Sequence, residues 1–482
     1  MALAGWIVDH HMALLWTAEV VWVVALSVWI LFERRSPAAT VAWILALAAL
    51  PVAGLLIYFF FGPRRFDRKK LRHARGQAKA RAAGAHASDA IPPTHRATHL
   101  MRMVRQAAGP SAVPRRGALR IFAEGDTLYD AVVEDIAKAC DHVHVEYYIF
   151  EPDEVGTRLR DALTERARAG VRVRLLVDGF GSSSAASGAF FAPLREAGGH
   201  VERFNALKIT RWRPRLANFR THRKIVVVDG RVAYTGGMNV TRVHSRRASG
   251  DDAWRDTHAR VEGHAARGLQ MTFAEDWYYA TEQEPDNAEC FPAPEKLPQE
   301  DHLLQVAASG PDENENAIHK LFFSAIAGAQ SRVWLTTAYF VPDLAIMTAL
   351  VATAMRGVDV RILLPAKGDV RVVAAAARSY FDELLAAGVR IFEYGPNVLH
   401  AKTLVTDEDV AIIGTANTDN RSFKLNFEVS LACYEPEVAR ELAAIFETDL
   451  ERATEVLAED RARRGRFTEL KENIARLLSP IL

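Results

Sequence analysis

Cysteine is scarce. The chain of 482 residues holds three, Cys140, Cys290 and Cys433, far apart and with no pair at metal-ligand spacing. So sparse and odd a set excludes a disulfide framework and a thiolate metal cluster, and points to reduced thiols. Net charge is nearly absent too: 60 Lys and Arg stand against 59 Asp and Glu, a formal +1. Without a global positive field the chain is not built as a dedicated nucleic-acid binder. No Gly-x4-Gly-Lys-Ser/Thr occurs, so the sequence writes no phosphate loop for ATP. What it does have is apolar material, 49% of the residues, and length enough for two to four domains.

That apolar material is concentrated at the start. Ala13 to Phe32 reads ALLWTAEVVWVVALSVWILF and Ala38 to Phe61 reads AATVAWILALAALPVAGLLIYFFF. Each run is long enough to cross a hydrocarbon core of about 30 Å as a helix. Glu19 lies near one end of the first, and Pro51 and Gly54 are tolerable in the second. The tight ERRSP connection between them predicts a two-helix transmembrane hairpin over residues 1–61. No basic leader and small-residue cleavage site mark a signal peptide instead. From Gly62 to Arg116 the chain is rich in Lys and Arg, with only Asp67 and Asp89 as acids. Beside a membrane span such a basic linker favours the cytoplasmic side, which places the bulk of the chain there.

The remainder is written twice. VHVEYYIFEPDEVG from Val143 matches VWLTTAYFVPDLAI from Val333: an aromatic strand, then Pro-Asp at a turn or helix start. GVRVRLLVDG at Gly170 matches GVDVRILLPA at Gly357, and GGHVERFNA at Gly198 matches AGVRIFEYG at Ala387. Alternating strands and helices predict an α/β fold, and the repeated order predicts two similar lobes, 117–296 and 297–482. Each lobe then carries a strand with an odd beginning. His222-x-Lys224-x4-Asp229 leads to Gly236-Gly237-Met238-Asn239; His400-x-Lys402-x4-Asp407 leads to Gly414-Thr415-Ala416-Asn417. Six residues separate Asp from Gly in both copies. Alternation along a strand puts each His and Lys on one face, with Arg223 or Ala401 on the other.

Two lobes facing each other about a pseudo-dyad would bring both strand mouths together. Two imidazoles, two ammonium groups and two amides suit a phosphodiester. Lys224, Lys402, Asn239 and Asn417 can hold its non-bridging oxygens. One imidazole attacks phosphorus and the other protonates the leaving alkoxide, through a phosphohistidine. Orienting carboxylates are expected at Asp256 in WRDTH and Glu428 in LNFEVS. Asp229 and Asp407 complete the motif and count with the catalytic set. Lying five residues past the lysine, they are expected to support the fold more than the phosphate.

The doubled His-x-Lys-x4-Asp motif resembles the phospholipase D superfamily signature. NFRTHRKIVVVDG, WRDTH, SGPD, GTANTDNRSFKLNFE and the terminal ARLLSPIL resemble blocks of bacterial cardiolipin synthases across nearly the whole chain. The resemblance implies two phospholipase D-like lobes, mixed sheets flanked by helices, behind an inner-membrane hairpin. It implies joining of two phosphatidylglycerols into cardiolipin with release of glycerol, without metal or other cofactor. Membrane lipids would be the partners, with no nucleic acid. Superfamily precedent would make His222 the nucleophile and His400 the general acid. Ala401 and Thr415 stand where Ser is frequent and Ala338 where Pro is, and none of these changes removes a catalytic group; they leave the second lipid more open. Hydrolysis by a phospholipase D, or another donor or acceptor, would use the same residues.

Two further stretches have a reading of their own. Between Phe204 and His222 the first lobe carries an insertion with Lys208, Arg211, Trp212, Arg213 and Arg215, either a solvated loop or an interfacial one. Near the C-terminus Leu470, Ile474, Leu477 and Leu478 recur at helical spacing, and the stripe is expected to pack on the core rather than to contact a membrane.

Overall fold

A computed structural model describes residues 13, 17, 20–32, 37–49, 94–185, 188–205, 219–284, 290–291, 302–311 and 316–479. Within the N-terminal unit, residues 20–31 are helical and Pro37–Ala49 forms a second helix. Among the described residues no helix is long and apolar enough to cross a membrane. Residues 50–61 of the second expected span lie outside the described residues, as do 62–93 of the basic linker and the insertion from 206 to 218.

The end of the expected linker is part of the catalytic body. Thr94 caps the helix His95–Ala108 by accepting the Ala97 N–H at 3.1 Å. Leu100 and Val104 on its inner face join the core of the second lobe. Arg96 pairs with Asp407 at 3.2 Å and also with Asp409.

The body is built on one fifteen-stranded sheet. The first lobe supplies β1 (Arg115–Phe122), β2 (His142–Tyr147), β3 (Arg172–Asp178), β4 (His200–Phe204), β5 (Lys224–Val228), β6 (Val232–Gly236) and β7 (His258–Glu262). The second supplies β8 (His302–Ser309), β9 (Arg332–Thr336), β10 (Phe340–Val341), β11 (Asp359–Pro365), β12 (Arg390–Tyr394), β13 (Thr403–Thr406), β14 (Val410–Gly414), β15 (Thr418–Asp419), β16 (Glu428–Cys433) and β17 (Ala453–Glu455). Among the described strands only β10 and β15 stand apart, as a small parallel pair. Outward from the centre one half runs β1-β7-β6-β5-β2-β3-β4 and the other β8-β16-β14-β13-β9-β11-β12, with β17 added at that edge. The halves meet where β1 pairs antiparallel with β8, Arg115 opposite Leu304.

Each Pro-Asp signal marks a helix start. Asp153 caps Glu154–Arg168 and Asp343 caps Leu344–Met355, each accepting an N–H three residues on. The apolar strand runs are buried on both faces, as sheets covered by helices require. In the antiparallel register Tyr147 faces Lys224, and Thr336 faces Thr403. Within the first half the C-terminal end of β2 therefore lies beside the start of β5, and within the second half that of β9 lies beside the start of β13. Each motif histidine stands at that end of its own half.

Candidate active site

Short cross-lobe bridges set the geometry. Just before β5, His222 donates its N–H to the Phe427 carbonyl at 2.9 Å, while Phe427 donates to Arg220 at 2.9 Å. Just before β13, His400 donates its N–H to the Arg255 carbonyl at 2.7 Å, and Arg255 donates to Val398 at 2.9 Å. Phe427 and Arg255 directly precede Glu428 and Asp256. Each histidine is therefore pinned beside the acid of the other lobe. His222 Nδ1 lies 3.0 Å from both oxygens of Glu428, and His400 Nδ1 lies 2.7 Å from Asp256 Oδ2. Gly237 permits the second arrangement, because a Cβ there would overlap the Asp256 carboxylate.

Supporting contacts fix both acids. Glu428 accepts from the Thr415 hydroxyl at 2.5 Å and from Asn426 Nδ2 at 3.2 Å. Asp256 Oδ1 accepts the Thr257 N–H at 2.7 Å. On the far face of β5, Arg223 is buried: it donates to the Glu428 carbonyl and to the Ser309 carbonyl, each at 3.1 Å, and pairs with Asp276. It braces one lobe against the other, where Ala401 has no such reach.

Both lysines are buried beside their histidines. Lys224 Nζ donates to the His222 carbonyl at 2.8 Å. Lys402 Nζ lies 2.8 Å from His400 Nδ1, donates to the His400 carbonyl, and stands 4.0 Å from Asp256. Asn239 Oδ1 accepts the Ile149 N–H at 3.4 Å, and the Asn417 side-chain oxygen is buried with no hydrogen-bond partner.

Burial dominates the electrostatics. It pushes His222 down to about 4 against the pull of Glu428, Lys224 down to about 7 and Lys402 down to about 8. His400 is lowered by burial and by the Lys402 charge, against Asp256. Burial alone would raise both acids. Lys402 and His400 outweigh it at Asp256, and His222 and Lys224 at Glu428, so both stay ionised. The site thus holds two carboxylates and imidazoles that burial holds neutral, with ammonium groups that an incoming anion would keep charged and imidazoles that it would help to protonate.

Asp229 and Asp407 do not join this cluster. Each has a left-handed backbone, φ 52° and 54°, just past the far end of its strand. Asp229 accepts the N–H groups of Cys140, Asp141 and His142 at 2.8–2.9 Å, tying down the start of β2. Asp407 does the same for Gln330, Ser331 and Arg332 before β9. Seven residues of extended chain, at roughly 3.3 Å each, put them about 20 Å from the histidines, so their place in the catalytic set is corrected: they hold the fold.

Sequence reasoning missed several neighbours. Tyr148 presents its edge to His222 with centroids 5.1 Å apart, and Lys224 Nζ sits 5.7 Å from the Tyr148 ring centre. Trp254 and His244 lie 5.6 and 5.8 Å from the His400 ring. Trp254 belongs to the WRDTH block and Asn426 precedes Glu428 by two, so both were within reach; nothing in the sequence signals His244. Neither nitrogen of that buried ring has a hydrogen-bond partner, and His244, Asp256 and His400 offer ligand atoms within 4.8 Å of one another.

Lobes that complete their sites only across the dyad place this protein in the phospholipase D class. The chain belongs to the cardiolipin synthase family: the profile described as "Cardiolipin synthase, PLD-like domain" matches residues 132–277 and 322–450. A second profile, "Phospholipase_D-nuclease N-terminal", matches residues 20–63. Cardiolipin synthase 1 of Bacillus anthracis is 37% identical over 473 residues, covering 95% of this chain and 92% of that one. Cardiolipin synthase of Geobacillus sp. (strain WCH70) is 36% identical over 471 residues with the same coverage. Among solved structures, phosphatidylserine synthase of Haemophilus influenzae Rd KW20 shares the fold, with a TM-score of 0.59 at 14% identity over 79% of this chain and 100% of that one.

Proposed function

We propose that this chain transfers a phosphatidyl group between two phosphatidylglycerol molecules, giving cardiolipin and glycerol. One observation carries the reading: each imidazole has its Nδ1 held by a buried carboxylate of the opposite lobe. That fixes the tautomer and leaves Nε2 for the substrate. The bound phosphodiester anion favours the protonated form of His400; His222 Nε2 then attacks phosphorus, the bond from phosphorus to the headgroup glycerol oxygen breaks, and the His400 imidazolium gives its Nε2 proton to that oxygen. The terminal hydroxyl of a second phosphatidylglycerol then returns a proton to His400 and attacks the phosphohistidine, releasing His222. Two in-line displacements give retention at phosphorus. Lys224, Lys402, Asn239 and Asn417 hold the non-bridging oxygens and stabilise the charge that develops there. A phosphodiester is exchanged for a phosphodiester, so no ATP is consumed.

Family membership and the lipid substrates support a membrane-associated enzyme. The two apolar runs support a hairpin anchor, and the basic stretch after Gly62 supports lobes on the cytoplasmic face. The test is the full chain in phosphatidylglycerol vesicles with products read by mass spectrometry. Cardiolipin and glycerol in about equal amounts are expected from the stoichiometry above. Phosphatidic acid as the main product would make the protein a phospholipase D. Cardiolipin formed only with phosphatidylethanolamine present would identify a different donor.

A further inference from the structure

The last helix is turned inside out. Arg466–Arg476 carries Phe467, Leu470 and Ile474 along one face, and the stripe continues to Leu477. These four residues are 69%, 54%, 54% and 78% exposed. The face toward the body holds Glu472 and Ala475 instead. Glu472 is buried because Arg461 grips it in a two-pronged pair at 2.9–3.0 Å. That ion pair decides which side faces in, against the expectation that the leucine stripe packs on the core.

The helix is tied to the end of the second half at which His400 stands. The helix packs on Arg371–Arg378, which follows the C-terminal end of β11. Arg476 stacks 4.3 Å over Tyr380, and Ser479 bonds the Tyr380 hydroxyl at 3.0 Å. Asn420, three residues beyond Asn417, donates to the Ser479 carbonyl at 3.1 Å. Leu344, Val370 and Val372, at the starts of the helices after β9 and β11, are exposed as well. Arg463, Arg466 and Lys471 are exposed beside the stripe, while Glu469 there is paired with Arg464.

We infer that the helix Arg466–Arg476 is an interfacial docking element that lays Phe467, Leu470, Ile474 and Leu477 into an anionic lipid surface and seats the site mouth on it. An exposed apolar stripe edged by cations fits the headgroup boundary of such a bilayer: the apolar face enters and the basic groups meet phosphates. This rests on the reading of the substrates as bilayer lipids, and the experiment separates the two. In a Cys140→Ser background, the full chain with Ile474→Cys carries an environment-sensitive fluorophore. Dioleoylphosphatidylglycerol vesicles should shift its emission to the blue, and phosphatidylcholine vesicles should do so far less. The triple variant L470S/I474S/L477S should lose about tenfold or more of the rate on vesicles. It should keep the wild-type rate on dispersed short-chain phosphatidylglycerol. An unshifted probe on vesicle-bound protein overturns the inference, and so does a shift that follows protein concentration without vesicles, which would assign the stripe to a second copy. A vesicle-dependent shift in a protein that makes no cardiolipin leaves the docking intact and removes only the assigned reaction.

Discussion

Glu428 lies 206 residues from His222 in the chain and 3.0 Å from its Nδ1 in space. The mirror relation joins Asp256 to His400. Each motif histidine takes its acid from the other lobe, so the reaction depends on the interface as much as on the motif.

Glu428→Gln and Asp256→Asn should each lower kcat by roughly 10²–10⁴-fold, with KM changed little, because the amide keeps the shape but no longer supports a charged imidazole. Steady-state rates on dispersed short-chain phosphatidylglycerol check this. A variant within threefold of wild type would deny the acid an orienting role.

The two histidines should respond differently to the leaving group. His222→Ala should be inert toward every substrate. His400→Ala should lose about 10²–10⁴-fold with phosphatidylglycerol, yet recover with a p-nitrophenyl phosphodiester whose phenolate leaves without a proton. Rescue of His222→Ala instead would exchange the roles.

The pH profile should be a bell. The acid limb of kcat/KM follows protonation of His222, held to about 4 by burial. The alkaline limb follows loss of the His400 proton and then of charge on Lys224, near 7. A bound phosphodiester anion favours the protonated form of all these groups, so the alkaline limb of kcat should lie at higher pH than that of kcat/KM. Coincident alkaline limbs would show that the anion does not reach these groups.

Asp229→Asn and Asp407→Asn should act on stability. Each carboxylate satisfies three backbone N–H groups at a strand start, and weakening them should cost about 1–3 kcal/mol. The Asp407 carboxyl is held low in the fold: burial alone would raise it, but the backbone donors and Arg96 outweigh that. Its contribution is present above the usual carboxylate pKa and is lost as pH falls through the folded value. Thermal unfolding and the rate per folded molecule separate the effects: Tm should fall while the rate stays within about threefold, a change under 1 kcal/mol. A collapse of kcat at unchanged Tm would return these residues to the chemistry.

The duplication, the succession of strands and helices and the motif residues His222, Lys224, His400 and Lys402 were legible because a strand's period and a repeated motif are local properties. Asp256 and Glu428 were legible as acids. Their crossed pairing was not, since it depends on bridges such as Thr221 to Phe427 that join distant segments. Periodicity in the last helix revealed a stripe but not its direction. That was decided by Arg461 and Glu472, eleven residues apart and individually ordinary. The helix at His95 hid inside a basic stretch, because its few apolar residues fill a gap in another lobe's core.

The β1–β8 seam bears on ancestry. A gene encoding one such lobe would make an inert product until two copies met, each lending its carboxylate to the other's imidazole. Identical copies would carry identical halves. Covalent fusion of two copies would release them from that symmetry, and the two halves do differ: Glu428 serves one histidine and Asp256 the other, and Arg223 stands where its counterpart is Ala401. A nucleophile and a proton donor are different jobs, and a duplicated gene can tune each half for one of them.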